Sequence, residues 1–478
     1  MDREVTAVKR GLDKKLNALI RASKWITIAD TSKVLNLTDT DIDENVLRVL
    51  ALGLNFSLNP TSTSILKAIS NIHLKTTGSP GEHSDNEQLR GAIWTSALKL
   101  LKAPPSFPRR YMSALDYLKK QNDWAILPSD KTGEILVMSW GDYIRAGEEM
   151  LMDSSTYKPR NRGLTPLTYM IDQFNIALDN IIEYLPDSDK QLNLDKTLKG
   201  FKIVDRSLQN LGYAYFLHKT HKIYPPLQFR PIISQSNALI TSLAKYCAGI
   251  LSPLVGTFSK AHLVNSYDFV NKLKSFYVSN PHMISKPMFS LDVKSLFTNV
   301  PIDLVLDFLQ CKFDERKIVL PNGMNMATLI KLVRLCCKNT VFSFNEKYFQ
   351  QIFGCPMGSP LSVILANLTM ELLESEFMSL LPMNPAFYAR FIDDTIGVWE
   401  HTQEEFDVFL EGLNGLIPSI KFTVEWEVFD PIKQEATLPF LDVLIHRTLT
   451  GPRFSVYRKP THTHSYLHYF SQHPPSQK

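Results

Sequence analysis

The sequence predicts an α+β chain made of several packed units, and three observations carry that expectation. Its 478 residues exceed the roughly 100–200 of one ordinary domain, so about two to four units are expected. Up to about residue 125 the apolar positions recur mainly with helical spacing. Beyond Trp124, short apolar runs bounded by turn residues alternate with helical segments, the texture of a mixed helix-and-sheet fold. With 44% hydrophobic and 21% charged residues, the chain can bury sizeable cores and is not a largely disordered one.

Taken in order, a first helix is expected over 41–54, where Thr and Asp cap candidates precede Val46, Leu47, Val49, Leu50 and Leu52. Polar breaks follow at 57–60 and 76–86, and a second helix over 88–101 is closed by Ala103-Pro104-Pro105. Ile126-Leu127-Pro128 and Ile135 to Met138 read as strand, turn and strand, with turn chemistry at Asp130-Lys131-Thr132-Gly133. Residues 160–200 return to helical spacing. Ala214 to Lys219 and Phe229 to Ile233 form two further strand candidates, joined through Tyr224-Pro225-Pro226, and 237–257 is apolar enough for a buried helix. A strand is expected over Met288 to Val293, then a helix over 301–313 with Pro at its first position. A long amphipathic helix over 363–381, a hairpin over 387–399, a helix over 403–413 and strands near 421–428, 438–446 and 453–457 complete the chain.

Composition excludes several classes. Cys247, Cys311, Cys336, Cys337 and Cys355 are odd in number and lack C-x-x-C spacing, which argues against a disulfide framework and a thiolate zinc site. No run approaches the roughly 20 apolar residues of a membrane span. Asp2, Arg3, Glu4, Lys9 and Arg10 are followed by no signal-peptide type of apolar run, so a soluble, intracellular protein is expected. The net charge of +4 comes from 52 basic and 48 acidic residues; a nucleic-acid surface would have to be local. No repeat suggests a solenoid.

Three acidic positions sit where strands end. Period-two alternation puts Met288, Ser290 and Asp292 on one face of their strand. Asp393 and Asp394 follow Phe391-Ile392 at the tip of the expected hairpin. Converging carboxylates raise each other's pKa unless a cation is bound. A pair of Mg²⁺ ions about 4 Å apart neutralises such a cluster and stabilises the attacking and leaving oxygens of a phosphoryl displacement. Singly, each signal has a plain alternative: Asp is a common turn residue, and a strand-end Asp can cap a helix. Between the acidic sites lies Gly354-Cys355-Pro356-Met357-Gly358-Ser359-Pro360-Leu361-Ser362, either a loop that lets backbone approach a ligand or an ordinary helix entry.

The order of these motifs resembles a reverse transcriptase palm. Ser290-Leu-Asp292-Val-Lys-Ser-Leu-Phe297, then Met357-Gly-Ser-Pro-Leu-Ser, Phe391-Ile-Asp393-Asp394-Thr and Leu438-Pro-Phe-Leu-Asp-Val are similar to the reverse transcriptases of Penelope-like retroelements, which are related to telomerase. Pro128-Ser-Asp-Lys-Thr-Gly, Arg230-Pro-Ile-Ile-Ser and Val456-Tyr-Arg-Lys-Pro-Thr-His-Thr extend the likeness over about residues 125–475. The resemblance implies a right-hand polymerase: a helical N-terminal extension (1–125), fingers (126–285), a palm (286–460) with an interleaved fingers segment (311–353), and a truncated start of the thumb connection (461–478). Thumb and GIY-YIG endonuclease are expected to be absent or truncated.

Carried over by residue, the resemblance makes Asp292, Asp393 and Asp394 the metal ligands, completed by the carbonyl of Val293. Phe297 falls where an aromatic ring excludes a ribose 2′-OH, although a core Phe would occupy the same place. Arg230, with Lys219 or Lys222, would hold the triphosphate, Met357, Gly358 and Ser359 would flank the nucleotide, and Lys421 would protonate the leaving pyrophosphate. His462, His464, His468 and His473, among Tyr466, Tyr469, Arg458 and Lys459, suit packing or backbone contact better than zinc. Two Mg²⁺ ions (or Mn²⁺), an RNA template, a DNA primer and dNTP are the implied cofactors and partners, with residence in the nucleus. An RNA-directed RNA polymerase is disfavoured by Phe297 and by Ile392 before the acidic pair. A non-catalytic RNA-binding remnant is the alternative.

Overall fold

The computed structural model describes residues 29–56, 95, 109–130, 133–160, 166–204, 211–219, 227–236, 238–316, 318, 320, 323–459 and 471. They fall into two compact units, one drawn from Met1–Tyr143 with Leu217–Phe229 and Thr461–Lys478, the other from Ile144–Phe216 with Arg230–Pro460.

The first unit contains a three-stranded sheet of β1 (Val34–Asn36), β2 (Trp124–Pro128) and β3 (Ile135–Ser139) in the order β1-β3-β2. The hairpin expected from the turn residues is present, with Trp124 opposite Ser139 and Pro128 opposite Ile135. Gly133 takes the left-handed conformation (φ 71°) on the way into β3. β1 was not expected from the helical texture of its region; it pairs parallel to β3 from Val34–Ile135 to Asn36–Val137. That pairing ties residues before 125 to those after it, so the compact unit runs on to Tyr143. Over the sheet lie helices Glu44–Leu50, capped by Asp43, and Arg109–Lys120. Val46, Val49, Leu50, Tyr111 and Ala114 close a small core on Val34, Ile135 and Val137. Apart from residue 95, the helix expected over 88–101 lies outside the described residues, as do the tail histidines.

In the second unit, β4 (Tyr157–Arg160), β5 (Gly212–His218, whose last two residues are assigned to the first unit), β6 (Phe229–Ser234, whose first residue is), β7 (Met288–Val293), β8 (Val341–Phe344) and β9 (Lys347–Gln351) are followed by the hairpin β10 (Phe387–Phe391) and β11 (Asp394–Val398). β12 (Phe422–Trp426), β13 (Val428–Asp430), β14 (Glu435–Phe440), β15 (Val443–Thr448) and β16 (Gly451–Val456) complete it. A five-stranded sheet runs β4-β9-β8-β5-β6, a four-stranded sheet β10-β11-β7-β12, and a meander β13-β14-β15-β16. Helices Pro166–Glu183, Thr241–Leu251, Met326–Lys338, Ser362–Leu372 and Gln403–Leu416 supply the main core together with Phe289, Leu291 and Val293 of β7. The opposite face of the same sheet, through Met288, Ile396 and Val398, packs with Leu438, Phe440 and Ile445 and with Phe269 and Leu273 of helix Ser266–Ser279.

Two helices depart from their expected form. The segment 237–257 is helical only over Thr241–Leu251, with a short turn at Ser252–Leu254, because Pro253 withholds an amide from the ladder. The 363–381 segment is α-helical over Ser362–Leu372, then widens into a π turn at Leu373–Phe377 before a last tight turn at Met378–Leu380.

Candidate active site

The four-stranded sheet gathers the acidic residues at one end. In β11 against β7, Thr395 lies opposite Leu291 and Val398 opposite Met288. One step along the same register sets Asp394 beside Asp292, and on the other side of β7 Asp292 faces Thr423 of β12. Directly opposed residues share a face, so Asp292 and Asp394 lie on the face that carries Met288 and Ile396 deeper in the sheet. Asp292 is exposed, and Asp393 and Asp394 are half-buried. Met288, Ser290 and Asp292 do alternate onto one face, as the sequence indicates.

The hairpin between β10 and β11 is as tight as a hairpin can be. Phe391 pairs with Asp394, leaving Ile392 and Asp393 as the loop. Two-residue hairpin loops need positive φ at their first or at both positions, where Gly or Asn is usual. Here the first position is Ile392 at φ 56°, a costly conformation for a β-branched residue. Below the loop lies Arg390, whose side chain is wholly buried. Its guanidinium donates to the carbonyl of Ile392 (3.0 Å), to Asn367 Oδ1 (3.1 Å) and, through Nε and Nη2, to Glu374. Burial opposes the charge on Arg390, but Glu374 beside it leaves the guanidinium pKa above its ordinary value. Sequence reasoning missed Arg390, Asn367 and Glu374; the only signal was an arginine inside an apolar strand, two residues before Ile392.

The Gly/Pro loop approaches the short helix Leu296–Asn299 and strand β6 through its glycines. Gly354 has φ 68°, and a Cβ there would lie 2.3 Å from the carbonyl oxygen of Thr298; the amide of Cys355 donates to the carbonyl of Phe297 at 2.7 Å. Gly358 has φ 139°, and a Cβ there would lie 2.3 Å from the carbonyl of Ile233, whose amide donates to Met357 at 3.0 Å. Phe297 and β6, which carries Arg230, thus flank one loop. The loop passes into helix Ser362–Leu372 with Ser362 Oγ donating to the carbonyl of Pro356 (2.6 Å). Phe297 is half-buried and packs against the main core, so it is only partly withdrawn from solvent. Arg230 and Ser359 are half-buried.

Other expected site residues are placed differently. Lys421 is backbone neighbour to the end of β7, since the amide of Lys294 donates to its carbonyl at 2.8 Å, but its ammonium donates to the carbonyl of Asn414 near the end of helix Gln403–Leu416. Lys219 belongs to the first unit, and its amide donates to Gln228. Lys222 lies outside the described residues. Carboxylate and carbonyl oxygens suit a hard cation of the Mg²⁺ kind, and the register places Asp292, Asp394 and the loop Asp393 at one sheet end with Val293 adjacent. The donor type and backbone placement therefore fit. Among the described residues, however, no group of three or more His, Cys, Asp or Glu side chains is gathered tightly enough to hold a metal ion.

Comparison with known proteins bears on this geometry. Residues 218–427 match the family described as "Reverse transcriptase (RNA-dependent DNA polymerase)". No curated protein matches the sequence. Among solved structures, the chain is similar to telomerase from Candida albicans, solved with a fragment of telomeric RNA, at 10% identity and a TM-score of 0.50. That match covers 87% of this chain and 66% of the telomerase, so the chain spans just under two thirds of its relative's length. The apo telomerase from Candida Tropicalis aligns at 9% identity and a TM-score of 0.49, covering 87% of this chain and 69% of that one. At such identity the first likeness speaks for the fold alone, and it agrees with the α+β polymerase architecture described above. No helix among the described residues is long and apolar enough to cross a membrane. Residues 218–427, which include the acidic sheet end, the glycine loop and Arg230, are thus a reverse transcriptase domain, the enzyme domain of RNA-directed DNA polymerases and so of the nucleotidyltransferase class.

Proposed function

We propose that the chain is the reverse transcriptase of a retroelement of Penelope-like type, extending a DNA primer on an RNA template by phosphoryl transfer from dNTP. The observation that carries this reading is the register that sets Asp394 beside Asp292 at the end of β7, with Asp393 in the adjoining loop. Divalent ions bound there, Mg²⁺ by the chemistry of the donors, would neutralise the phosphates and steady the attacking and leaving oxygens. Asp292, Asp393, Asp394 and the carbonyl of Val293 are the groups that would hold them. Arg230 on β6 is the guanidinium for the triphosphate, and the bare faces of Gly354 and Gly358 keep the nucleotide loop close to Phe297 and β6. The edge of Phe297 occupies the room of a ribose 2′-OH and offers it no hydrogen bond, which favours dNTP. Much of the rate then comes from positioning and charge neutralisation. Work on chromosomal DNA would place the protein in the nucleus.

The absence of a tight three-carboxylate group among the described residues favours one rival, a non-catalytic RNA-binding protein that keeps the fold. Primer extension separates the two. Purified chain, an RNA template, a DNA primer and dNTP should give Mg²⁺-dependent extension, and Asp393→Ala should lower it by about 10³-fold or more, the scale of several kcal/mol of charge stabilisation. Undiminished extension by Asp393→Ala removes the site assignment, and salt-sensitive RNA binding without any extension selects the rival.

A further inference from the structure

The acidic hairpin is held from below, and we propose that Arg390, set by Glu374 and Asn367, is a positioning residue that fixes the Ile392–Asp393 peptide for phosphoryl transfer. The inference rests on the reading of Asp393 and Asp394 as carboxylates of the reaction site.

Main chain and side chain of Arg390 are both pinned. Its amide donates to the carbonyl of Ala261 (2.7 Å), and its carbonyl accepts from the amide of Leu263 (2.8 Å). Its guanidinium spends its donors on Glu374, Asn367 and the carbonyl of Ile392. Arg390 is 0% exposed and Asn367 5%, and the Glu374 side chain is 3% exposed. A fork of fixed shape with every arm engaged can aim one N–H with little freedom.

Stability alone does not call for this arrangement. Apolar residues of similar volume serve as well as a buried ion pair, or better. What they cannot do is donate to the carbonyl of Ile392. That carbonyl belongs to the peptide joining Ile392 to Asp393, so its orientation decides where the Asp393 side chain leaves the backbone. Ile392 holds φ 56°, and such a conformation persists only where its surroundings over-determine it. The Arg390 donor is the side-chain contact seen to do so.

The partner of Arg390 is also specially presented. Glu374 lies in the π turn Leu373–Phe377, at the end of the helix that begins at Ser362, directly after the glycine loop. A π turn closes on i→i+5 bonds, which changes the direction of residue 374 from that of a continued α-helix. One rigid element therefore joins the loop beside Arg230 and Phe297 to the anchor under Asp393.

The test uses the full chain. Arg390→Met with Glu374→Leu removes both charges together, so the variant should fold with a melting temperature near that of the parent. Its kcat for dNTP incorporation should fall by about 100-fold, the usual consequence of an ångström-scale misplacement, with KM for dNTP little changed. Hydrogen exchange should quicken at residues 391–394 while the amides of β7 keep their protection. Arg390→Lys, which keeps the charge but not the fork, should fall between parent and double variant in kcat.

Parental kcat and parental exchange at the turn in the folded double variant, with Asp393→Ala inactive in the same assay, overturn the positioning role and leave the site reading standing. Loss of protection across the whole palm sheet also overturns it, by reducing Arg390 to a structural residue. An active Asp393→Ala instead removes the site reading itself, and the inference with it.

Discussion

Phe297 shows how much a single residue can be asked to do. It is half-buried, packs on the main core and lends its carbonyl to the amide of Cys355 at 2.7 Å. The backbone bond is independent of the ring, so Phe297→Ala should leave the loop attached while opening space beside the nucleotide. Discrimination against NTP in primer extension should drop by at least about tenfold, in line with the modest selectivity that apolar contacts supply; unchanged NTP use removes the gate assignment. Asp292 and Asp393 are residues whose neighbourhood was foreseeable only in part: the alternation around Asp292 was in the sequence, but its register partner was not. Arg390 was marked in the sequence only as an arginine inside an apolar strand, which does not say what it holds. A buried arginine is unusual, yet nothing in Phe391-Ile392-Asp393-Asp394 says that the donor beneath comes from two positions upstream.

Among the elements, the loop from Gly354 to Leu361 is the one whose conformation the sequence specifies best, and the reason is steric. Two of its glycines sit at positive φ with backbone carbonyls 2.3 Å from where a Cβ would be. Gly358→Ala would push Ile233, and with it β6 and Arg230, away from Met357. The expected outcome is a loss of about 1–3 kcal/mol in chemical denaturation with a raised KM for dNTP; an unchanged KM in a folded variant detaches Arg230 from nucleotide binding. The hairpin β10–β11 and the strands β7 and β12 were legible from apolar alternation flanked by turn residues. β1 was not, because three residues (Val34–Asn36) are too few for periodicity to register. The π turn was equally hidden: it preserves a helical apolar pattern while shifting the direction of Glu374.

At the scale of the molecule, the third sheet of the second unit is cross-linked by charged side chains. Glu435 accepts from His446 Nδ1 (3.2 Å) and Arg453 Nη2 (2.8 Å), while His446 Nε2 meets Ser455 Oγ at 2.8 Å. The hydrogen bond from His446, joined by Arg453, holds the Glu435 pKa below its ordinary 4.5. A carboxylate lowered on folding adds stability above its unfolded pKa and loses it as pH falls through the folded value. Glu435→Gln should therefore melt below the parent at neutral pH, and the gap should narrow as the pH drops below 4.5. A gap that stays constant with pH rules out this carboxylate as the source.

By itself the sequence determined the α+β class, most strands and helices of the second unit, the two acidic sites and the glycine loop. Those features follow from alternation, turn chemistry and conformational limits that act within a few residues. Tertiary structure alone decided which residues meet: the step of register that brings Asp394 to Asp292, the parallel pairing of β1 with β3, the turning of the Lys421 ammonium to Asn414, and the clamp of Arg390 on Ile392. Partners such as Arg390 and Glu374, or β1 and β3, are chosen by packing and by the need to satisfy buried polar groups, and both depend on atoms far apart along the chain.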